Sequence, residues 1–311
     1  MPPASTSNSP LCIEVCVDSV RSALNAVKGG ADRLEVCENL GVGGGTTPSL
    51  GLLKAIQRSV DVPLMVMVRP RTGDFLYSED EIEVMLEDIR VFKEHNVCGV
   101  VLGVLKADGR VDVEVTKRLV DEALPLQGEP HPLSFLESIF IMNNTVCFHR
   151  AFDMTRDPEE GMVIPRDIVF ASSLISVALA DVMNIGGVSR ILTSGHGPTA
   201  LESLDTLESL CDKTQKLAEE LPWVLNILPG SGINSDTVGP ILDALLPRGL
   251  MELHLSGGSW EEGGMVHRRH GLGMGVGETE WSVWMTSEEK VRSVRRFADA
   301  VWAEYARNEE I

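Results

Sequence analysis

Two short segments repeat a pattern that could do chemistry: Ile13-Glu14-Val15-Cys16 and Leu34-Glu35-Val36-Cys37. Side chains alternate faces along a β-strand, so each Glu shares a face with its Cys and the aliphatic residues take the other. Glu252-Leu253-His254-Leu255-Ser256 alternates in the same way. If the three strands lie side by side with polar faces inward, Glu14, Glu35 and Glu252 meet at one level. Cys16, Cys37 and His254 then meet at the next. Buried carboxylates need partners, and Arg69 and Arg150 are the expected ones. Such convergence drives carboxylate and imidazole pKa values apart, as proton transfer requires. Two thiolates also suit a soft metal ion. Plainer readings stand beside these: cysteine is a common buried filler, and the glutamates serve equally well as structural ion-pair partners.

Further candidates sit where strands end. His149 is expected to face inward from the fifth strand, with Arg150 and Asp153 just beyond it, and Arg69 closes the third. His149 and His254 read as acid/base groups or as satisfied core histidines. Asp153 reads as an acid or as a loop cap. Gly230-Ser231-Gly232 could cradle an anion through backbone N–H groups, or form a plain tight turn. Cys12 lies four residues before Cys16, about 13 Å away at strand rise, and is expected outside the site. Cys98, Cys147 and Cys211 are expected to be packing residues.

Eight apolar runs could position these groups: Leu11–Val17, Arg33–Cys37, Leu64–Arg69, Gly99–Gly103, Thr145–His149, Arg190–Thr193, Val224–Leu228 and Met251–Leu255. Helix-sized segments separate them, and a helix over Ser287–Arg307 closes the chain. Eight βα units close naturally into a TIM (β/α)8 barrel of the α/β class; a doubly wound open sheet is the competing architecture. No Pro- or Ser-rich linker divides the chain, so a single domain is expected over 11–311, after a disordered tail at 1–10. Pro125–Asn144 and Asp157–Val188 exceed what the barrel needs and read as insertions before and after the fifth strand.

The 311 residues carry 27 Lys and Arg against 46 Asp and Glu, a formal net charge of −19. So acidic a chain repels phosphate backbones and anionic lipid, which excludes general nucleic-acid and membrane-surface binding. Six scattered cysteines and a polar Met1–Pro10 without an apolar run point to free thiols in a reducing cytoplasm. The longest apolar stretch, Ile168–Ala180, is too short for a bilayer, which needs about 20 residues.

Several ordered motifs resemble the CutC copper homeostasis family. They are Cys16–Asp18, Gly30–Arg33, Gly44–Ser49, Arg69-Pro70-Arg71, Gly73-Asp74-Phe75, Phe148–Asp153, Leu192–Gly195 and Glu252-Leu253-His254. The resemblance runs from about Leu11 to the last helix. It implies a TIM barrel, cytosolic residence, self-association into a homo-oligomer and binding of copper(I), with Cys16 and Cys37 in the positions of the family's proposed ligands. The residues leave a second reading open: an isomerase- or lyase-type barrel enzyme acting on a small anionic, possibly phosphorylated, metabolite. Glu14, Glu35, Arg69, His149, Asp153 and His254 would be its catalytic groups, and Gly230, Ser231 and Gly232 its anion site.

Overall fold

The computed structural model describes residues 11–124, 145–156, 177–220, 225–269, 271–272 and 277–309. The expected tail at 1–10, the insertion at 125–144 and most of that at 157–188 lie outside the described residues.

Eight parallel strands appear where the apolar runs fall: β1 Cys12–Val17, β2 Arg33–Val36, β3 Leu64–Met67, β4 Gly99–Leu102, β5 Thr145–Phe148, β6 Val188–Thr193, β7 Asn226–Pro229 and β8 Glu252–Leu255. They hydrogen-bond in the order β7-β6-β5-β4-β3-β2-β1-β8. The remaining seam lies between β7 and β8, where Asn226 Nδ2 reaches Glu252 Oε1 at 3.5 Å. The helices are α1 Val20–Gly29, α2 Leu40–Gly43, α3 Leu50–Gln57, α4 Glu79–Glu94, α5 Val113–Ala123, α6 Val177–Ile185, α7 Leu204–Glu220, α8 Val238–Leu245 and α9 Glu288–Asn308. This is the expected TIM barrel, and the open-sheet alternative is set aside because β1 joins β2 on one side and β8 on the other.

Local chemistry fixes the helix ends. Ser19 accepts the backbone N–H of Ser22 at 3.1 Å. Gly30 closes α1 at φ +100°, a conformation costly for any side chain. Ser78 and Glu81 form a reciprocal capping box at the start of α4.

Strand parity divides the apolar residues into two layers. Ile13, Val15, Leu34, Val36, Val66, Val100, Val146 and Phe148 join the outer core between barrel and helices. Cys16, Cys37, Met65, Met67, Val101, Cys147, Leu192 and Leu228 form a separate cluster inside the barrel.

One feature was not expected. After β8 an antiparallel hairpin, β9 Gly258–Glu262 and β10 Ser282–Thr286, precedes α9. Trp260 and Trp284 face each other across it, edge to face with centroids 5.5 Å apart. The hairpin leans on α2: a Cβ on Gly41 would lie 2.6 Å from the Trp260 ring, so only glycine permits this approach. No described helix is long and apolar enough to cross a membrane.

Candidate functional site

The inward faces of β1, β2, β6 and β8 build a buried charged network. Glu14 Oε2 accepts from Arg33 Nε at 2.5 Å, and Glu14 Oε1 lies 2.8 Å from His254 Nδ1. Glu252 Oε2 accepts from Arg33 Nη2 at 2.5 Å and from Arg190 Nε at 2.8 Å. The expected partners were Arg69 and Arg150; the actual ones are Arg33 and Arg190. Arg33 has the same strand parity as Glu35, so it points inward at the level of Glu14. Parity was the signal that could have found it.

Arg69 instead ties loops together. Its guanidinium donates to the carbonyls of Gly43 at 2.8 Å, Gly45 at 2.9 Å and Gly73 at 3.1 Å. It stacks over Phe75, 5.0 Å from the ring centroid. Arg150 pairs with Asp153 at 2.8 Å and reaches Ser194 Oγ at 3.0 Å.

The levels differ from expectation as well. Parallel pairing is staggered around a barrel. Glu14 stands opposite Arg33 on one side and His254 on the other. Cys16 stands opposite Glu35, not Cys37, and Glu252 stands opposite Cys12. The three carboxylates therefore climb the barrel in steps rather than sharing a level.

Electrostatics follow from this placement. Burial alone would raise Glu14, but Arg33 and His254 hold it well below the usual carboxylate range. Burial would likewise raise Glu252, and Arg33 and Arg190 pull it down. Among the described residues Glu35 has no such close pair and its Oε2 has no hydrogen-bond partner, and burial pushes its carboxyl up to about 7. Burial would lower His254, yet Cys16, Glu14 and Glu35 around it raise it well above an ordinary histidine. One oxygen each from Glu14 and Glu35 and one ring nitrogen of His254 lie within 4.8 Å of one another.

Above this network sit the thiols. Cys16 and His254 interact electrostatically, and Cys16 Sγ lies 3.7 Å from the carbonyl of Leu255. Cys37 Sγ lies 3.6 Å from the carbonyl of Val17. Burial raises both thiols. Met65, Met67 and Cys147 share their cluster, so Cys147, expected as simple packing, lines the same interior. Cys12 is placed outside the cluster, while Cys211 packs in the outer core and Cys98 is half-buried.

Other candidates have local structural duties. His149 accepts the N–H of Ala151 through Nδ1 at 3.2 Å and packs 5.0 Å from Phe75. Burial, then Arg69, depress it to about 3, so it is neutral at physiological pH. Asp153 accepts from Ser194 N at 3.0 Å and His196 N at 3.2 Å, and from the Thr193 hydroxyl. This carboxylate fills the loop after β6 that could otherwise take an anion. Gly230 donates to the carbonyl of Thr193 at 2.9 Å; Ser231 and Gly232 both take φ +75°. Ser231 Oγ donates to the carbonyl of Pro198 at 2.9 Å. The turn lies beside His254, since a Cβ on Gly230 would be 3.5 Å from that ring.

A family model described as the CutC family matches residues 11–259, a span that includes every strand of the barrel. The chain belongs to the CutC family. Copper homeostasis protein cutC homologs of Mus musculus and Homo sapiens are 37% and 38% identical to it. The mouse alignment covers 93% of this chain and 90% of the relative, and the human one 92% and 88%. A solved structure of a proposed copper homeostasis protein CutC from Streptococcus agalactiae superposes with a TM-score of 0.60 at 23% identity. It covers 79% of this chain and 98% of that one, which supports the CutC barrel as a fold.

Proposed function

We propose that this CutC-family chain is a copper homeostasis protein that binds copper(I) inside the barrel through Cys16 and Cys37. The observation that carries the reading is the sulfur-lined interior: both thiols share one buried cluster with Met65, Met67 and Cys147. Copper(I) is soft and prefers thiolate and thioether donors. Binding must displace the thiol protons, which burial holds tightly, so uptake releases protons and strengthens with pH. All six cysteines are free, which fits a reducing cytoplasm, where copper(I) persists. The names of the mouse and human relatives point the same way. Self-association belongs to the same proposal, and sedimentation across a concentration series tests it.

The isomerase or lyase reading gains no support from the geometry. Three of its groups are engaged in holding loops: Arg69 on three carbonyls, Asp153 on backbone N–H groups, and His149 as a neutral cap.

The test is titration of the reduced protein with copper(I) against a competing chelator. One tightly held equivalent is expected, lost in the Cys16→Ser, Cys37→Ser double variant. Undiminished binding in that variant would overturn the assignment.

A further inference from the structure

The sulfur cluster does not account for the group just below it, in which a ring nitrogen and two carboxylates converge. We propose that Glu14, Glu35 and His254 form a second metal site, for a borderline divalent cation of the zinc class. The three residues come from adjacent strands, β2, β1 and β8, and one ligand atom from each lies within 4.8 Å of the others. Glu14 Oε1 and His254 Nδ1 are 2.8 Å apart. Two ligands bound tetrahedrally to one ion at about 2.1 Å stand about 3.4 Å apart, so a spread of roughly half an ångström would admit the ion between them.

An independent observation points to a ligand. Glu35 is only 2% exposed, and its Oε2 has no hydrogen-bond partner among the described residues. A buried carboxylate oxygen left so is costly unless something else satisfies it. The cation would do so.

Charge bookkeeping agrees. Glu14 and Glu252 pair with two guanidinium groups, Arg33 and Arg190, and Glu35 adds a third carboxylate beside them that makes no ion pair among the described residues. With a neutral imidazole one negative charge is uncompensated. A proton on His254, a proton on Glu35 or a bound cation can supply the balance, and of these the cation also satisfies the unpartnered Glu35 oxygen. Arg33 holds the second oxygen of Glu14 at 2.5 Å, orienting that carboxylate as outer-shell partners do in metal sites. The donor set also separates the two sites. Carboxylates and imidazole suit zinc-class dications, whereas the thiols and thioethers above suit copper(I).

The experiment uses the full chain carrying Cys16→Ser and Cys37→Ser, stripped with a chelator and titrated with Zn²⁺ against a chromophoric competitor. One equivalent is expected. Adding Glu35→Gln should weaken it at least about 10-fold. Glu35 makes no ion pair among the described residues, so this variant should fold, and a thermal melt checks that it does. Co²⁺ provides a second readout, with visible d–d bands that fade in Glu35→Gln and in His254→Gln. No stoichiometric Zn²⁺ in the double-cysteine variant, or equal affinity with and without Glu35→Gln, would overturn the proposal. Copper(I) titration of Glu35→Gln with both cysteines intact separates the two readings. Retained copper with lost zinc supports two sites, and zinc binding that vanishes with the cysteines refutes the second.

Discussion

Arg33 is the residue whose removal best tests the interior network. It is 2% exposed and donates to Glu14 and Glu252, both at 2.5 Å. Arg33→Met keeps the bulk but, among the described residues, leaves Glu14 with His254 alone, and Glu252 with Arg190 and a long contact to Asn226. Breaking a buried pair by deleting one partner costs about 3–5 kcal/mol, because the stranded charge keeps its desolvation penalty. At about 2.1 cal/mol/K per residue, unfolding this chain has an entropy near 0.65 kcal/mol/K, so the melting temperature should fall by about 5–8 °C. Scanning calorimetry at neutral pH reads this directly. The comparison is Arg150→Met, whose pair with Asp153 includes a guanidinium side chain 45% exposed. Solvent screening limits that loss to about 1 kcal/mol or less. The pH dependence has a defined sign. Glu14 and Glu252 are depressed below the ordinary carboxylate value of 4.5, so their contribution is present above that pH and is lost as pH falls. The gap between wild type and Arg33→Met should therefore narrow in acid. A variant melting within about 1 °C of wild type, or a loss as large for Arg150→Met, would refute the assigned pairing.

Glu35→Gln should show the opposite pH trend. Its carboxyl rises from 4.5 to about 7 on folding, so the folded state holds a proton that the unfolded state has released. Wild-type stability should fall across that window by up to about 3 kcal/mol relative to the variant, read from chelator-treated melts between those pH values. Asp153→Asn should loosen the loop after β6, since the carboxylate gathers Ser194 N, His196 N and the Thr193 hydroxyl. A loss of about 1–3 kcal/mol is expected, with faster amide exchange confined to that loop. Gly41→Ala places a methyl 2.6 Å from Trp260. It should displace the β9–β10 hairpin at a cost of about 1–3 kcal/mol and red-shift tryptophan emission.

Strand parity was legible because one face of each barrel strand must be apolar against the helices. It placed Glu14, Cys16, Glu35 and His254 inside from the sequence alone, and the structure agrees. What parity does not carry is register. The stagger of the barrel is a property of the closed sheet, and it put Cys16 beside Glu35 rather than Cys37. Arg33 and Arg190 were missed though their parity was readable, because each stands at the first position of its expected apolar run, where the sequence alone does not mark it as buried. Both are buried here since the glutamates inside require them. The β9–β10 hairpin escaped because its strands are mostly half-exposed and show little apolar alternation. Cys147 looked like filler for a related reason: parity turns it inward, but nothing in its own segment says that sulfur atoms from β1, β2 and β3 meet it there.

The net charge of −19 bears on the choice between a cation and an anion as the barrel's guest. Inside, three carboxylates face Arg33, Arg190 and a histidine raised well above its ordinary value, so the interior is close to neutral. Nearly all of the acidic excess therefore lies outside the barrel core. A negative shell raises the local concentration of cations and lowers that of anions, most strongly at low ionic strength. The anion-binding elements that could offset this are largely occupied, with Asp153 in the loop after β6 and Arg69 on backbone carbonyls. Field and interior chemistry thus favour the same kind of guest. Thiols and thioethers wait above, two carboxylates and an imidazole below, and the electrostatic interaction between Cys16 and His254 couples the layers. Occupancy of one site should then alter the proton held at the other. Copper(I) uptake by the Glu35→Gln variant is expected to keep its stoichiometry while changing its pH profile.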